Sequence, residues 1–341
     1  MAAPLEPLDP VDLSGVTAGL DPNTAPDAKA IQGRSLGRIA WTRLKRDKWA
    51  LTGGVVIIVL VLLAIASVFL ENAGILDVST YHTSLIDPNT DKPLGFFGGI
   101  SWSHPLGVDP QFGRDMLSRI LVGSQYSLLI ASTATVLSVI IGTIMGVVAG
   151  YFGGWVDTVI NWLMNVFLAF PLLLFAIALT GVVQNSAGGV AFGLSGNTLH
   201  VFVLVFVIGF FNWPYIGRII RGQTLSLRER EFVDASRSVG ARGFYVLWHE
   251  LLPNLIGPIL VYSTLLIPTN ILFEAALDFL GVGLRLPTPS WGALLADAVN
   301  NQYYSVDPEY VLVPGLAIFI AVMAFNLLGD GLRDALDPRS H

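Results

Sequence analysis

The sequence predicts an all-α integral membrane protein with six spanning helices, and three observations carry that reading. Hydrophobic residues make up 53% of the 341-residue chain and charged residues only 13%, with a mean hydropathy of +0.65. Charge-free runs of the roughly 20 residues that a helix needs to cross a bilayer recur along it. Lys and Arg cluster in the segments that would share one side of the membrane. Length alone would suggest about two soluble domains, but lipid-facing and helix-facing surfaces both exclude charge, so composition overrides that prior.

Residues 1–34 form an acidic tail. Glu6, Asp9, Asp12, Asp21 and Asp27 all precede the first Lys or Arg, and five prolines interrupt the first 28 residues. This is unlike a cleavable signal peptide, which opens with positive charge and an apolar core, and the composition predicts disorder. Residues 35–70 combine a surface helix with span one. Leu36, Ile39, Ala40 and Leu44 recur at helical spacing, with Arg38, Arg43 and Arg46 elsewhere around the wheel. Such a helix lies on the inner leaflet, as a lipid contact or a plain topogenic anchor. Span one is the charge-free run 49–70, and 71–119 is an extracytoplasmic loop.

The membrane core covers 120–330. Span two lies within 120–156 and ends near Gly150. The run 158–217 is long enough for spans three and four, divided by the Gly/Asn/Ser-rich stretch 181–197. Span five occupies 251–273 and span six 310–329, leaving 331–341 as a C-terminal tail. Of the 19 Lys and Arg, all but Lys92, Arg114, Arg119 and Arg285 fall before span one, between Arg218 and Arg242, or after span six. The positive-inside rule therefore places both termini and the 218–254 segment in the cytoplasm.

Span two carries Gly142, Gly146 and Gly150 at a four-residue repeat. Such a small-residue ridge lets helix backbones approach closely, within the chain or against a partner subunit. Glu274 and Asp278 are four apart, on one helical face near the outer end of span five. They are candidates for a translocation path or gate, lining a water-filled cavity, contacting a partner, or holding structure at the interface. Spans one to four carry no ionisable group beyond His200 at an edge, and no ordered polar cluster marks a cargo site. A proton-coupled carrier would place such groups nearer the bilayer middle.

Much chemistry is missing. No Cys is present, so thiol catalysis, disulfides and thiolate metal sites are excluded. No Gly-Lys pair occurs, so there is no GxxxxGK[ST] phosphate loop. His82, His104, His200, His249 and His341 never fall in metal-ligand spacing. GRSLG (33–37) matches the GxSxG elbow around Ser35 by letter, but a polar tail precedes it where an apolar strand is required. No catalytic residue, metal or resident cofactor is expected, and a net charge of -6 gives no ground for a nucleic-acid partner.

The segment 221–254 is the polar interruption between spans four and five. Ala and charged residues favour helix up to Gly240, which can end a helix or turn the chain. Residues 243–252 then read as a second, apolar-aromatic helix leading to Pro253. A short helix between two spans makes a knob that can dock in a groove of a cytoplasmic protein.

The spacing of this segment resembles the EAA loop of ABC-importer permeases: EAA, three residues, Gly, nine residues, I-x-L-P. Asp234, Ala235 and Ser236 stand for the EAA, Gly240 for the Gly, and Leu252-Pro253 for the L-P. Asp replaces Glu, Ser236 replaces the second Ala, and Glu250 occupies the Ile position. HPLGVDPQFGRDMLSRILVGSQYSL (104–128), FEAALDFLGVGLRLPTPSWG (273–292), FNLLGDGLRDALDPR (325–339) and WTRLKRDKWALTGG (41–54) are similar to segments of the dipeptide/oligopeptide/nickel importer permeases, the last to the C-type subunit. Val108 and Gln125 stand where that family carries Thr and Arg.

The resemblance implies the type I ABC importer permease fold. It implies a second homologous permease, two cytoplasmic ATPases that bind ATP and Mg, and an extracytoplasmic substrate-binding protein as partners in a bacterial or archaeal plasma membrane. ATPase coupling would then fall to Asp234, Ala235, Ser236, Arg237, Gly240, Ala241, Arg242, Leu252 and Pro253. Peptides are the expected cargo, with nickel chelates, glutathione and oligosaccharides as alternatives. An ion-coupled carrier and an integral-membrane enzyme are the competing classes.

Overall fold

The computed structural model describes residues 41–336, apart from 91, 96, 111, 186–189, 192–193 and 285–286. The acidic tail, Ser35 and most of the expected surface helix lie outside that set, although residues 41–44 are helical. Span one is α1 (Lys48–Asn72), capped by Asp47, whose carboxylate accepts from the Trp49 amide at 2.9 Å. Span two is α2 (Met116–Phe152). It starts four residues before the expected 120 because Asp115 caps it, accepting from Ser118 N at 2.7 Å.

Gly153, with φ +64, separates α2 from α3 (Gly154–Ala169). Span three is not one rod. α3 and α4 (Leu172–Asn185) meet at a 74° bend. Pro171 follows Phe170, which is held extended (φ -76, ψ 129), as the residue before a proline prefers. Among the described residues five helices are thus individually long and apolar enough to cross a membrane, and the bent pair counts as a sixth span if its two arms form one broken crossing.

A short hairpin, β1 (Val190–Ala191) with β2 (Leu194–Ser195), leads into α5 (Gly196–Arg228). This helix continues eleven residues past the expected end of span four at 217. α6 (Glu231–Ser238) follows, and then α7 (Gly243–Phe279) runs unbroken into span five. Pro253 was expected to close a separate helix. Instead a π-helical stretch, Val246–Leu251, widens the backbone ladder just before it, so the missing proline N–H does not end the helix. α8 (Trp291–Asn300) lies between spans five and six, and α9 (Glu309–Leu336) forms span six. The expected tail at 331 is therefore helical to Leu336.

α2 and α5 pack along most of their lengths, with α7 against both; α9 packs on α7, and α1 packs on α9 and α2. Gly142, Gly146 and Gly150 all face α5. A Cβ on Gly146 would stand 2.6 Å from the Gly217 carbonyl oxygen, and one on Gly150 2.7 Å from Thr224 Cβ. The ridge thus brings two backbones of this chain together.

Candidate functional site

The segment between α5 and α7 folds as two legs joined by a tight reversal. α6 is the first leg. Its one buried side chain, Val233, packs with Ile220, Val246, Leu247, Leu251 and Leu255. Gly240 ends it at φ +87, with its N–H donating to Arg237 O at 2.9 Å and the Ala241 N–H donating to Ser236 O at 3.0 Å. This is a Schellman ending, and glycine supplies the left-handed residue at no steric cost. Nothing stands within 4 Å of a Cβ at Gly240, so the conformation rather than space selects glycine.

Asp234, Ala235, Arg237, Arg242 and Pro253 are exposed, while Ser236, Ala241 and Leu252 are half-buried. Asp234 and Arg237 approach only to 3.8 Å at the surface, a pair of little energetic weight. Val239, Phe244, Tyr245 and Trp248 also stand exposed here, from 50% to 86%. Sequence reasoning missed them as contact candidates, although three aromatics in six residues after a glycine turn were visible. An apolar cavity of about 360 Å³ lies beside them, bounded by Ile140, Thr143 and Ile144 on α2 and by Phe244, Leu247 and Trp248 on α7.

The loop is fastened to the membrane core. Arg221 forms a two-pronged ion pair with Asp157, the Nη2–Oδ2 arm at 2.6 Å. Arg228 donates to Gly150 O at 3.1 Å, and the Arg237 guanidinium sits 5.3 Å from the centre of the Tyr151 ring. Ser236 Oγ donates to Glu250 Oε1 at 2.8 Å across the two legs.

Glu274 and Asp278 do not open onto a cavity in this conformation. Glu274 is 0% and Asp278 4% exposed. Ser127 Oγ donates to Glu274 at 3.2 Å and accepts from Trp291 N at 3.1 Å, while Ser290, the N-cap of α8, donates to Asp278. The pair thus holds the start of α8 against α2 and α7.

The spans also carry ordered polar contacts that the sequence reading did not anticipate. Asn270 Nδ2 donates to Thr135 Oγ1 at 2.8 Å and its Oδ1 accepts from Asn212 at 3.0 Å, all three side chains being buried. On the side of the membrane where α2 begins, Asp109 accepts from Arg114 Nε at 2.6 Å and from Arg119 Nη1 at 2.9 Å. Arg119 also reaches Asp297 on α8 at 3.0 Å. Beside this network, burial pushes the Tyr303 hydroxyl up to about 12. Val108 is fully buried and its carbonyl accepts from Tyr310 at 2.7 Å, so the change at this position is a packing one. Among the described residues no group of three or more His, Cys, Asp or Glu is placed to hold a metal ion.

Comparison with known proteins decides the family. The family model described as "Binding-protein-dependent transport system inner membrane component" matches residues 138–341. The chain belongs to this family. A second model, "N-terminal TM domain of oligopeptide transport permease C", matches residues 35–80 of this inner membrane component. The chain is 35% identical to the dipeptide transport system permease protein DppC of Alkalihalophilus pseudofirmus over 94% of its own length and 95% of that protein. It is 37% identical to the glutathione transport system permease protein GsiD of Escherichia coli, covering 93% and 95%. A chain of the MetNI methionine ABC transporter, solved in inward facing conformations, shares the fold with a TM-score of 0.51 at 16% identity, covering 65% of this chain and 98% of that one. The protein is thus a multi-pass ABC importer permease with the type I fold.

Proposed function

We propose that this permease forms half of the translocation path of an ATP-driven importer for peptides. The observation that carries the coupling half of this reading is the loop itself. Val239, Phe244, Tyr245 and Trp248 stand exposed together on a knob fastened to α2 and α3, a surface of the kind that a cytoplasmic partner covers. Two cytoplasmic ATPases, binding ATP and Mg, seat on Asp234, Ala235, Arg237, Gly240, Arg242 and the exposed aromatics. A second homologous permease completes the path, and an extracytoplasmic binding protein delivers cargo. Both termini face the cytoplasm, in keeping with the distribution of Lys and Arg. The absence of a Gly-Lys pair supports a division of labour in which other chains hydrolyse ATP. Closure of the ATPases moves the knobs and rocks the spans between inward-open and outward-open arrangements.

The cargo reading rests on the dipeptide and glutathione permeases to which the chain is similar. Dipeptides, longer peptides and glutathione share a free amino group, a terminal carboxylate and amide bonds. The test is uptake by the assembled transporter in proteoliposomes, with dipeptides, oligopeptides, glutathione, a nickel chelate and an oligosaccharide offered separately. ATP-dependent uptake of the dipeptides or oligopeptides supports the reading, and exclusive uptake of glutathione, the chelate or the sugar corrects the cargo. Uptake driven by an ion gradient with this chain alone would overturn the function.

A further inference from the structure

Two residues of the loop depart from the family pattern at apolar positions, Ser236 for the second Ala and Glu250 for the Ile, and the structure brings them together. Their 2.8 Å contact is the one side-chain hydrogen bond between the two legs among the described residues. Glu250 has no cationic partner within ion-pair distance among those residues, so this hydroxyl is the donor that stabilises its half-buried carboxylate. The position matters mechanically. α6 is only eight residues long, held underneath by Val233 and ended by a glycine turn with an open φ. Glu250 lies in the π-helical stretch at the base of α7, a helix that runs without a break to Phe279.

We propose that Ser236 and Glu250 form a positioning strut that joins α6 and α7 into one lever, so that force applied to α6 from the cytoplasm is delivered along span five. Without the strut, α6 can rock about Val233 and Gly240 while α7 stays in place. The pair acts through α6 and α7 and touches no cargo. The proposal rests on the reading of this loop as the ATPase-coupling site.

The two substitutions have unequal consequences. Ser236→Ala removes the protein donor from the half-buried Glu250 carboxylate and leaves it to water, whereas Glu250→Ile leaves a serine hydroxyl that can turn to a carbonyl four residues back, as Ser238 already does to Asp234 O at 2.8 Å. Replacing both partners strands nothing and restores an apolar contact.

The experiment uses the whole transporter with its partner subunits and reads cargo taken up per ATP hydrolysed, alongside recovery of the ATPases with this chain. Ser236→Ala should lower that ratio about threefold to tenfold with the ATPases still bound. Ser236→Thr should retain it, and Ser236→Ala combined with Glu250→Ile should do no worse than Glu250→Ile alone. Unchanged coupling in Ser236→Ala, or losses that simply multiply in the double variant, overturns the strut. Asp234→Arg and Gly240→Glu, run in parallel, separate the two claims. If they uncouple while Ser236→Ala is silent, the strut alone fails; if all are silent, the coupling reading itself fails.

Discussion

Asn212 on α5 donates its side-chain amide to the Asn270 carbonyl oxygen on α7 at 3.0 Å, and Asn270 passes the chain on to Thr135 of α2. Three spanning helices are thereby tied by polar side chains away from water. Interhelical hydrogen bonds in membranes are worth about 0.6 kcal/mol on average and up to about 1.7. Asn270→Ala breaks both contacts and strands the Asn212 amide, while Thr135 keeps its bond to Ala131 O at 2.8 Å, so it should destabilise the solubilised protein by about 1–3 kcal/mol. Thermal denaturation followed by fluorescence-detected gel filtration measures this. A melting temperature equal to that of the parent would show that the seam contributes nothing.

The glycine ridge makes a steric prediction. Gly146→Leu forces a side chain into the space held by the Gly217 carbonyl and Ile220 Cβ, and α2 and α5 must separate. The expected result is loss of folded, membrane-extractable protein, since overpacking of this kind costs about 1–3 kcal/mol or more. Gly222→Ala is the control, because a Cβ there meets nothing within 4 Å. Equal recovery of both variants would contradict the packing.

Asp109 answers two buried arginines, Arg114 and Arg119, with side-chain exposures of 5% and 2%. Removing Asp109 leaves Arg119 its bond to Asp297 at 3.0 Å but Arg114 only a 4.0 Å approach to it, so one buried charge loses its close partner, at about 3–5 kcal/mol. Asp109→Ala should therefore abolish stable assembly of the segment before α2, seen as new protease cleavage there. Asp297→Ala, at a carboxylate 26% exposed, should be milder. The reverse order would remove Asp109 from the centre of the network.

Topology can be read directly because the chain has no native Cys. Cysteines placed at the exposed Thr90 and Ser226 should respond oppositely to an impermeant maleimide on intact cells. Labelling at residue 90 alone fits the positive-inside assignment, and labelling at residue 226 alone reverses it.

The spans were legible because hydrocarbon tolerates so few charges that charge-free runs mark them. Their ends were not, because a helix continues into water wherever a cap or a partner permits. Asp115 starts α2 early, and Arg221 paired with Asp157 supports α5 far beyond Gly217. The loop was legible through its spacing, yet Pro253 misled, since a π-helical stretch is invisible to periodicity. Glu274 and Asp278 were found on one face, but Ser127 and Ser290, which cover them, come from other elements. The link from Arg119 to Asp297 was missed for the same reason, being made across 178 residues of sequence.

The most direct test of the coupling reading compares Asp234→Arg and Gly240→Glu with the parent, measuring cargo uptake in cells and recovery of the ATPases through a tag on this chain. Asp234→Arg reverses a charge that is 68% exposed and leaves the backbone free to keep its fold. Gly240→Glu adds strain at a φ of +87 together with a new charge. Both should lower uptake at least about tenfold, equivalent to about 1.4 kcal/mol of lost coupling, with this chain inserted at normal levels. Normal uptake with the ATPases fully retained in both variants would contradict the account and leave the segment between α5 and α7 a simple connector.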